Sequence, residues 1–228
     1  MVTNWNRGDT LQASVRSILA QEGLENLEIL IVDDASDDDS LEVALALRKE
    51  HPDVIRVFET HESLTRNINV PANIGFKRAR YKYVLLNPSD TIQLLPTNFL
   101  EHLRLLRANP NLYTLPHLRH FPSWKATTAS LAGSCTLKNH IFRITGYDER
   151  MSDWGCDDCD FSYRLRMIGI EQAVCDAHVL HITTKLRGEA DSREVNHQND
   201  LIHAENAKTE TYAPNKTWGE HPGLEEMT

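Results

Sequence analysis

Apolar residues recur along the first part of this chain in two alternating rhythms. Leu11, Val15, Ile18 and Leu19 follow an i, i+4, i+7, i+8 stripe, which predicts a helix started by Asp9 or Thr10. Leu27 to Val32 is instead a short, nearly continuous apolar run, the pattern of a strand covered on both faces of a parallel sheet. It ends abruptly at Asp33-Asp34-Ala35-Ser36-Asp37-Asp38-Asp39. A second helix follows from Ser40, with Val43, Leu45 and Leu47 and with Pro52 beyond its end. Val54 to Phe58 reads as a strand, 71–80 as a helix, and Tyr83 to Leu86 as a strand ending at Asn87-Pro88-Ser89-Asp90.

The rhythm loosens afterwards. Phe99, Leu103 and Leu106 predict a helix over 97–109, whereas Leu112 to Trp124 carries no decisive period. Gly133 to Phe142 fits a strand and short turn, and Asp158 to Met167 a helix stopped by Gly169. Val174 to Ile182 fits a strand carrying His178 and His181. From 185 to 228 apolar periodicity fades, which suggests a peripheral helix and an extended polar tail, with 185–204 a candidate lid. Alternating strands and helices of these lengths imply an α/β fold: a mostly parallel, Rossmann-like central sheet flanked by helices. Ligands of such sheets bind at the carboxyl ends of strands, and both acidic turns, 33–39 and 87–90, fall at such ends.

Composition narrows the possibilities. Hydrophobic content of 40% over 228 residues can bury a single sizeable core. A net charge of -9 argues against nucleic acid as a partner, so an anionic ligand must be held locally, by a metal or a few basic groups. Neither a membrane-spanning run nor a secretory leader is visible; a cytoplasmic setting is expected, with peripheral association at the inner membrane face left open. Cys156 and Cys159 form a C-x-x-C, but no second pair lies at zinc-site spacing, so the thiols read as reduced residues packed near a site.

Four segments, in order, resemble family 2 glycosyltransferases of the GT-A type: Thr3-Asn4-Trp5-Asn6-Arg7; Glu28 to Asp37; Asn73-Ile74-Gly75 followed by Tyr83 to Asp90; and Gly146 to Arg150 with Trp154-Gly155-Cys156-Asp157-Asp158. The last is similar to the acceptor segment of galactosyltransferase-like and chondroitin-polymerase-like members, and Lys216-Thr217-Trp218-Gly219 is similar to some bacterial members. The resemblance implies a GT-A domain over 1–184, with a nucleotide-sugar half at 1–95 and an acceptor half at 96–184, followed by the 185–228 extension. It implies an inverting, metal-dependent transfer of a hexosyl or N-acetylhexosaminyl unit from a nucleotide diphosphate, UDP foremost, to an acceptor hydroxyl in polysaccharide synthesis.

Roles follow residue by residue. Thr3, Asn6, Arg7, Asp33, Asp34, Asn73, Asn87 and Ser89 would contact the donor. Among them Asp34 would accept the imide N–H of uracil or an amino group of another base, and Asp33 would either support the turn or reach the ribose. Asp90 and His181 would hold Mn2+ or Mg2+, with His178 facing the other side of its strand. Asp158 would be the general base, beside Asp157, Trp154 and Gly155 for the acceptor. Each carboxylate also has a plain structural reading: Asp90 as a turn residue, Asp157 or Asp158 as a helix cap, and Asp37 to Asp39 as a solvated helix start. Arg66, Lys77 and Arg78 are candidates for the diphosphate.

The family's metal motif usually reads Asp-x-Asp, and here only Asp90 is acidic. That departure supports a second reading, a degenerate domain that binds nucleotide or glycan without turnover. A nucleotidyltransferase would need a glycine- and basic-rich phosphate loop near the N-terminus, and residues 3–10 offer only Arg7 and Gly8.

Overall fold

The computed structural model describes residues 1–62, 68–127, 130–152, 155–182 and 192–227, with 192–196 described by their backbone. The first part alternates as the apolar rhythm predicts: β1 (Val2–Asn4), α1 (Gly8–Leu19), β2 (Ile29–Asp34), α2 (Ser40–Glu50), β3 (Ile55–Thr60) and α3 (Asn69–Arg78). β4 (Tyr83–Leu85), β5 (Thr91–Gln93), α4 (Asn98–Ala108) and β6 (Leu112–Phe121) follow. Then come β7 (Ala126–Thr127), β8 (Cys135–Leu137), α5 (Lys138–Arg143), α6 (Asp157–Met167), β9 (Glu171–Ile182), α7 (Ser192–Lys208) and β10 (Leu224–Met227).

Every residue of β2 is buried, as its unbroken apolar run demands. β1, β2 and β3 pair in parallel, with Leu11, Val15 and Ile18 of α1 packed against Ile29, Ile31 and Val57. On the other face Leu30, Val32 and Phe58 meet Ala72, Ile74 and Phe76 of α3. The second sheet, β4-β8-β6-β9-β5, is mixed, with only β6 and β9 parallel. The parallel character therefore belongs to the first sheet, and the division expected near residue 95 does not follow the sheets, since β4 and β5 join the second one.

The two sheets are joined along β1. The Met1 amine donates to Leu85 O, Asn87 N–H to Met1 O and Ser89 N–H to Thr3 O, at 2.8, 2.9 and 3.0 Å. This alternation extends the chain beyond β4 alongside β1 in parallel sense. The turn after β2 and the turn after β4 thus both emerge at the carboxyl end of strands flanking β1.

Two differences from the sequence reading have physical causes. The stretch without a clear period, 112–124, contains the ten-residue strand β6. Pro116 obscures it: proline cannot donate to a ladder, and the β6–β9 register shifts between Leu115 and His117. The end of the chain is not an extended tail. β10 pairs antiparallel with β3, and Trp218 is buried in the main core cluster. A four-residue edge strand, Leu-Glu-Glu-Met, offers too little apolar material to be read as sheet on its own.

Candidate functional site

The acidic turn after β2 is held by its own side chains. Asp33 Oδ1 accepts from Asn4 Nδ2 and Ser36 Oγ, both at 2.7 Å, and Oδ2 accepts from Ser36 N–H at 3.1 Å. Of its two expected roles, support of the turn is the one its geometry fits. Asn6, in the left-handed region at φ 49°, accepts from Asp37 N–H through its side chain and is likewise part of the turn. Asp38 bridges the starts of α1 and α2, accepting from Gly8 N–H and Ser40 N–H. Burial works against its charge, but these hydrogen bonds outweigh it and hold the carboxyl below its usual value.

Next to Asp33, Asp34 lines a cleft of ≈ 460 Å³. Its Oδ1 accepts from Thr60 Oγ1 at 3.0 Å on β3. The cleft is walled by Thr3 and Asn4 of β1, by Trp5 and Arg7 just after it, and by Pro88, Ser89 and Asp90 after β4. Ile68 and Pro71 add apolar surface. Among the described residues, Thr3 Oγ1, Asn4 Oδ1, Arg7 Nη1 and Asp90 Oδ1 are buried without a hydrogen-bond partner. Buried polar atoms are ordinarily satisfied, so several orphans around one cleft mark a place where a polar ligand completes the set. A larger hollow of ≈ 870 Å³ lies elsewhere, walled mainly by apolar residues such as Leu24, Leu27, Tyr83 and Leu103, and contains none of Asp34, Asp90 and Asp158.

Strand register brings His181 to Asp90. Thr91 pairs with His181, and Ile182 N–H donates to Asp90 O at 2.8 Å. The His181 Nε2 to Asp90 Oδ1 distance is then 3.3 Å, and Arg7 Nη2 lies 3.7 Å from Oδ2. Burial opposes the charge of Asp90, but His181 and Arg7 outweigh it and keep the carboxyl below its usual range. The next strand adds a residue that the sequence reading missed. β6 pairs His120 with His181, and their Nδ1 atoms are 3.2 Å apart. Burial first and His181 second lower the proton affinity of His120, favouring a neutral ring. Only the unreadable register of β6 hid it. A buried carboxylate oxygen 3.3 Å from an imidazole nitrogen suits a divalent cation between them, with water and ligand oxygens able to supply the remaining positions.

Asp158 occupies the first turn of α6 but does not cap it; no side chain caps that helix. Its Oδ2 accepts from Leu131 N–H at 2.9 Å and its Oδ1 from Tyr147 Oη at 3.0 Å. Burial, then the neighbouring Asp157, pushes the Asp158 carboxyl up to about 7. Asp157 Oδ1 accepts from Gly155 N–H at 3.2 Å, with Gly155 at φ 116°. The loop that holds Asp158 is tied to the metal-motif strand: Gly133 N–H donates to Leu86 O and Leu86 N–H to Ser134 O. Asp158 is not part of the cleft wall shared by Asp34 and Asp90, but it sits one loop away from the Asn87–Asp90 turn.

Several expected donor contacts are relocated. Asn73 is fully buried; its amide donates to Tyr147 O and Glu149 Oε1 and accepts from Tyr147 N–H. Asn87 is equally buried, donating to Ser14 Oγ and Thr91 O and accepting from Gln93. Both amides are saturated by protein partners, so they shape the site without reaching a donor. Lys77 pairs with Glu220 and lies over Trp218, and Arg78 lies over Phe58. At 1.5 Å per residue they stand roughly 10 Å along α3 from Pro71, too far down the helix to serve the cleft. Arg66, Trp154, Lys185 and Arg187 lie outside the described residues, as does much of the lid expected at 185–204. His203 of that segment instead contacts Asp160 at 3.2 Å.

A family model described as glycosyl transferase family 2 matches residues 1–168. Over 88 residues the chain is 30% identical to the poly-beta-1,6-N-acetyl-D-glucosamine synthase of Staphylococcus epidermidis, covering 39% of this chain and 20% of that protein. The fold is similar to mannosyltransferase PcManGT from Pyrobaculum calidifontis, solved with GDP-Man and Mn2+: TM-score 0.69, 18% identity, 91% of this chain and 63% of that one. It is also similar to S. aureus TarS (TM-score 0.73, 13% identity, 90% and 38%) and to GalNAc-T7 with UDP, GalNAc and Mn2+ (TM-score 0.75, 14% identity, 90% and 47%). The chain thus spans a fifth of the curated relative and less than two thirds of each of these solved chains. No helix among the described residues is long and apolar enough to cross a membrane.

Proposed function

We propose that this chain, which belongs to glycosyl transferase family 2, transfers a hexosyl or N-acetylhexosaminyl unit from a UDP-sugar to an acceptor hydroxyl with inversion, in the synthesis of a polysaccharide. The observation that carries the proposal is the single cleft in which Asp34 and Asp90 meet among unsatisfied buried polar atoms. Asp34 recognises the base through its carboxylate, and Thr3 and Asn4 contribute a hydroxyl and an amide oxygen beside it. Arg7, 3.7 Å from Asp90, supplies positive charge at the diphosphate end. Asp90 and His181 hold the divalent ion, Mn2+ or Mg2+, which when bound would neutralise charge on the leaving diphosphate.

Asp158 removes the proton from the acceptor hydroxyl. A carboxyl with its affinity raised to about 7 is a better base near neutrality than an ordinary aspartate, yet is still substantially ionised there. Tyr147 and Leu131 N–H fix the two oxygens, so its orientation is set before the acceptor arrives. The proposal is tested by measuring nucleoside diphosphate released from a panel of nucleotide sugars with Mn2+, with and without oligosaccharide acceptors. Release from a UDP-sugar that stops in Asp158→Asn supports it. Release from no nucleotide sugar contradicts it.

A second reading rests on the Asn87-Pro88-Ser89-Asp90 turn, which offers one carboxylate where the family's motif usually has two. On that reading the cleft binds nucleotide without turnover, and the same panel would show binding but no release.

A further inference from the structure

Three metal-binding side chains cluster away from the cleft. His117, Asp176 and His178 each offer a ligand atom, and these atoms all lie within 4.8 Å of one another. His117 and Asp176 are exposed and His178 is half-buried. The strand register explains their meeting. His117 pairs directly with His178 across the parallel β6–β9 ladder, and their rings lie 5.0 Å apart, tilted by 30°. Between Leu115 and His117 on β6 stands only Pro116, while three residues separate Val174 from His178 on β9. The irregularity therefore places two additional residues on β9, and Asp176 is in that stretch. Its Oδ1 is 3.2 Å from His178 Nε2.

This cluster is distinct from the Asp90 site. His178 and His181 are three residues apart on a regular stretch of strand, as are His117 and His120, so the two histidine pairs face opposite sides of the sheet. The backbone of His178 is also anchored. Its N–H donates to Asn98 Oδ1 at 2.9 Å, and its carbonyl accepts from Asn98 Nδ2 at 2.7 Å and from Leu94 N–H at 2.9 Å.

We propose that His117, Asp176 and His178 form a second cation site, selective for a borderline divalent ion of the zinc class. Two imidazoles and one carboxylate favour zinc, nickel or copper over magnesium or manganese, which prefer oxygen. Three protein ligands leave the outward position to water, the arrangement of an open zinc site. Ligands on a tetrahedral zinc stand roughly 3.3 Å apart for bonds of about 2.0–2.1 Å, so the exposed His117 ring turns inward on binding. The ion ties β6 to β9, the two strands that carry His120 and His181, and stabilises the fold more as its free concentration rises above the dissociation constant.

The test is calorimetric titration of zinc chloride into chelator-treated full-length protein carrying Asp90→Asn and His181→Ala, which removes binding at the cleft. One zinc per chain is expected, with a rise in Tm. Adding His117→Ala or His178→Ala should weaken it by roughly tenfold or more. These substitutions are on a partly exposed strand face, and circular dichroism checks that the fold survives. In the otherwise unchanged protein, Asp176→Asn should weaken the same zinc equivalent while leaving UDP binding unaltered. Undiminished zinc affinity after loss of either histidine, or no zinc binding with the cleft ligands removed from a folded chain, overturns the site. Neither outcome bears on whether the cleft transfers sugar.

Discussion

Single side chains at this site are separated in function by what already occupies their atoms. Asp33 and Asp34 are adjacent and chemically identical, but Asp33 has both oxygens engaged by Asn4 and Ser36 inside the turn, while Asp34 bonds Thr60 on β3 and lines the cleft. Sequence alone could name the acidic turn but not divide its labour, because that depends on which carboxylate the strand's alternation points at Ser36. We expect Asp34→Ala to weaken UDP binding by about tenfold or more, the scale of one lost hydrogen bond to a charged group, with little change in Tm. An unchanged dissociation constant would remove Asp34 from base recognition. Asp158→Asn should reduce transfer by roughly 10²–10⁴-fold while UDP still binds. The raised affinity of Asp158 also predicts pH behaviour: kcat/KM should climb with pH through about 7 as the base ionises. Stability should run the other way. The folded state holds the Asp158 proton more tightly than the unfolded state, so its contribution is complete below the unfolded value near 3.8 and is lost as pH rises through about 7. Tm measured from pH 5 to 8 should therefore fall more in the wild type than in Asp158→Asn; equal slopes would contradict it.

At the scale of elements, the helices and strands that carry an uninterrupted apolar signal were legible, and those built by pairing were not. β2 and α1 declare themselves by composition and period, and Asp34 was placed correctly at the end of β2 for that reason, with Asp90 in the turn that follows β4. β6 was not legible, and with it went His120, since a proline and a register shift leave no regular alternation to read. Asn73 and Asn87 were mistaken for donor contacts because a polar residue in a motif looks the same whether it serves a ligand or a buried joint. α6, which presents Asp158, is anchored by Arg164: fully buried, it pairs with Asp160 at 2.6 Å and donates to Ile144 O and Gly146 O at 2.8 Å. Replacing Arg164 by methionine leaves Asp160 charged in the interior and should cost about 3–5 kcal/mol in chemical denaturation. A loss below 1 kcal/mol would show that the pair does not secure the helix. Gly146, at φ 68°, is part of the same joint, and a Cβ there would meet Asn73 Oδ1; Gly146→Ala should lower Tm by several degrees.

On the scale of the whole molecule, one seam organises the site. β1 lies between the parallel β2–β3 pair and the chain running on from β4, and the loops at its carboxyl end deliver Thr3, Arg7, Asp34 and Asp90 to a single cleft. The segment carrying Asp158 reaches the same region through the 130–134 loop, which holds Asp158 at one end and Leu86 at the other. The chain's last strand returns to β3, so residues far apart in sequence close the first sheet rather than trailing from it. Calorimetric titration of UDP, with and without Mn2+, into the wild type and Asp90→Asn tests this arrangement most directly. The account predicts that Mn2+ strengthens UDP binding to the wild type and that Asp90→Asn abolishes this strengthening while leaving the metal-free affinity nearly unchanged. Manganese-enhanced binding that survives intact in Asp90→Asn, or a wild type that binds no UDP under either condition, would contradict it.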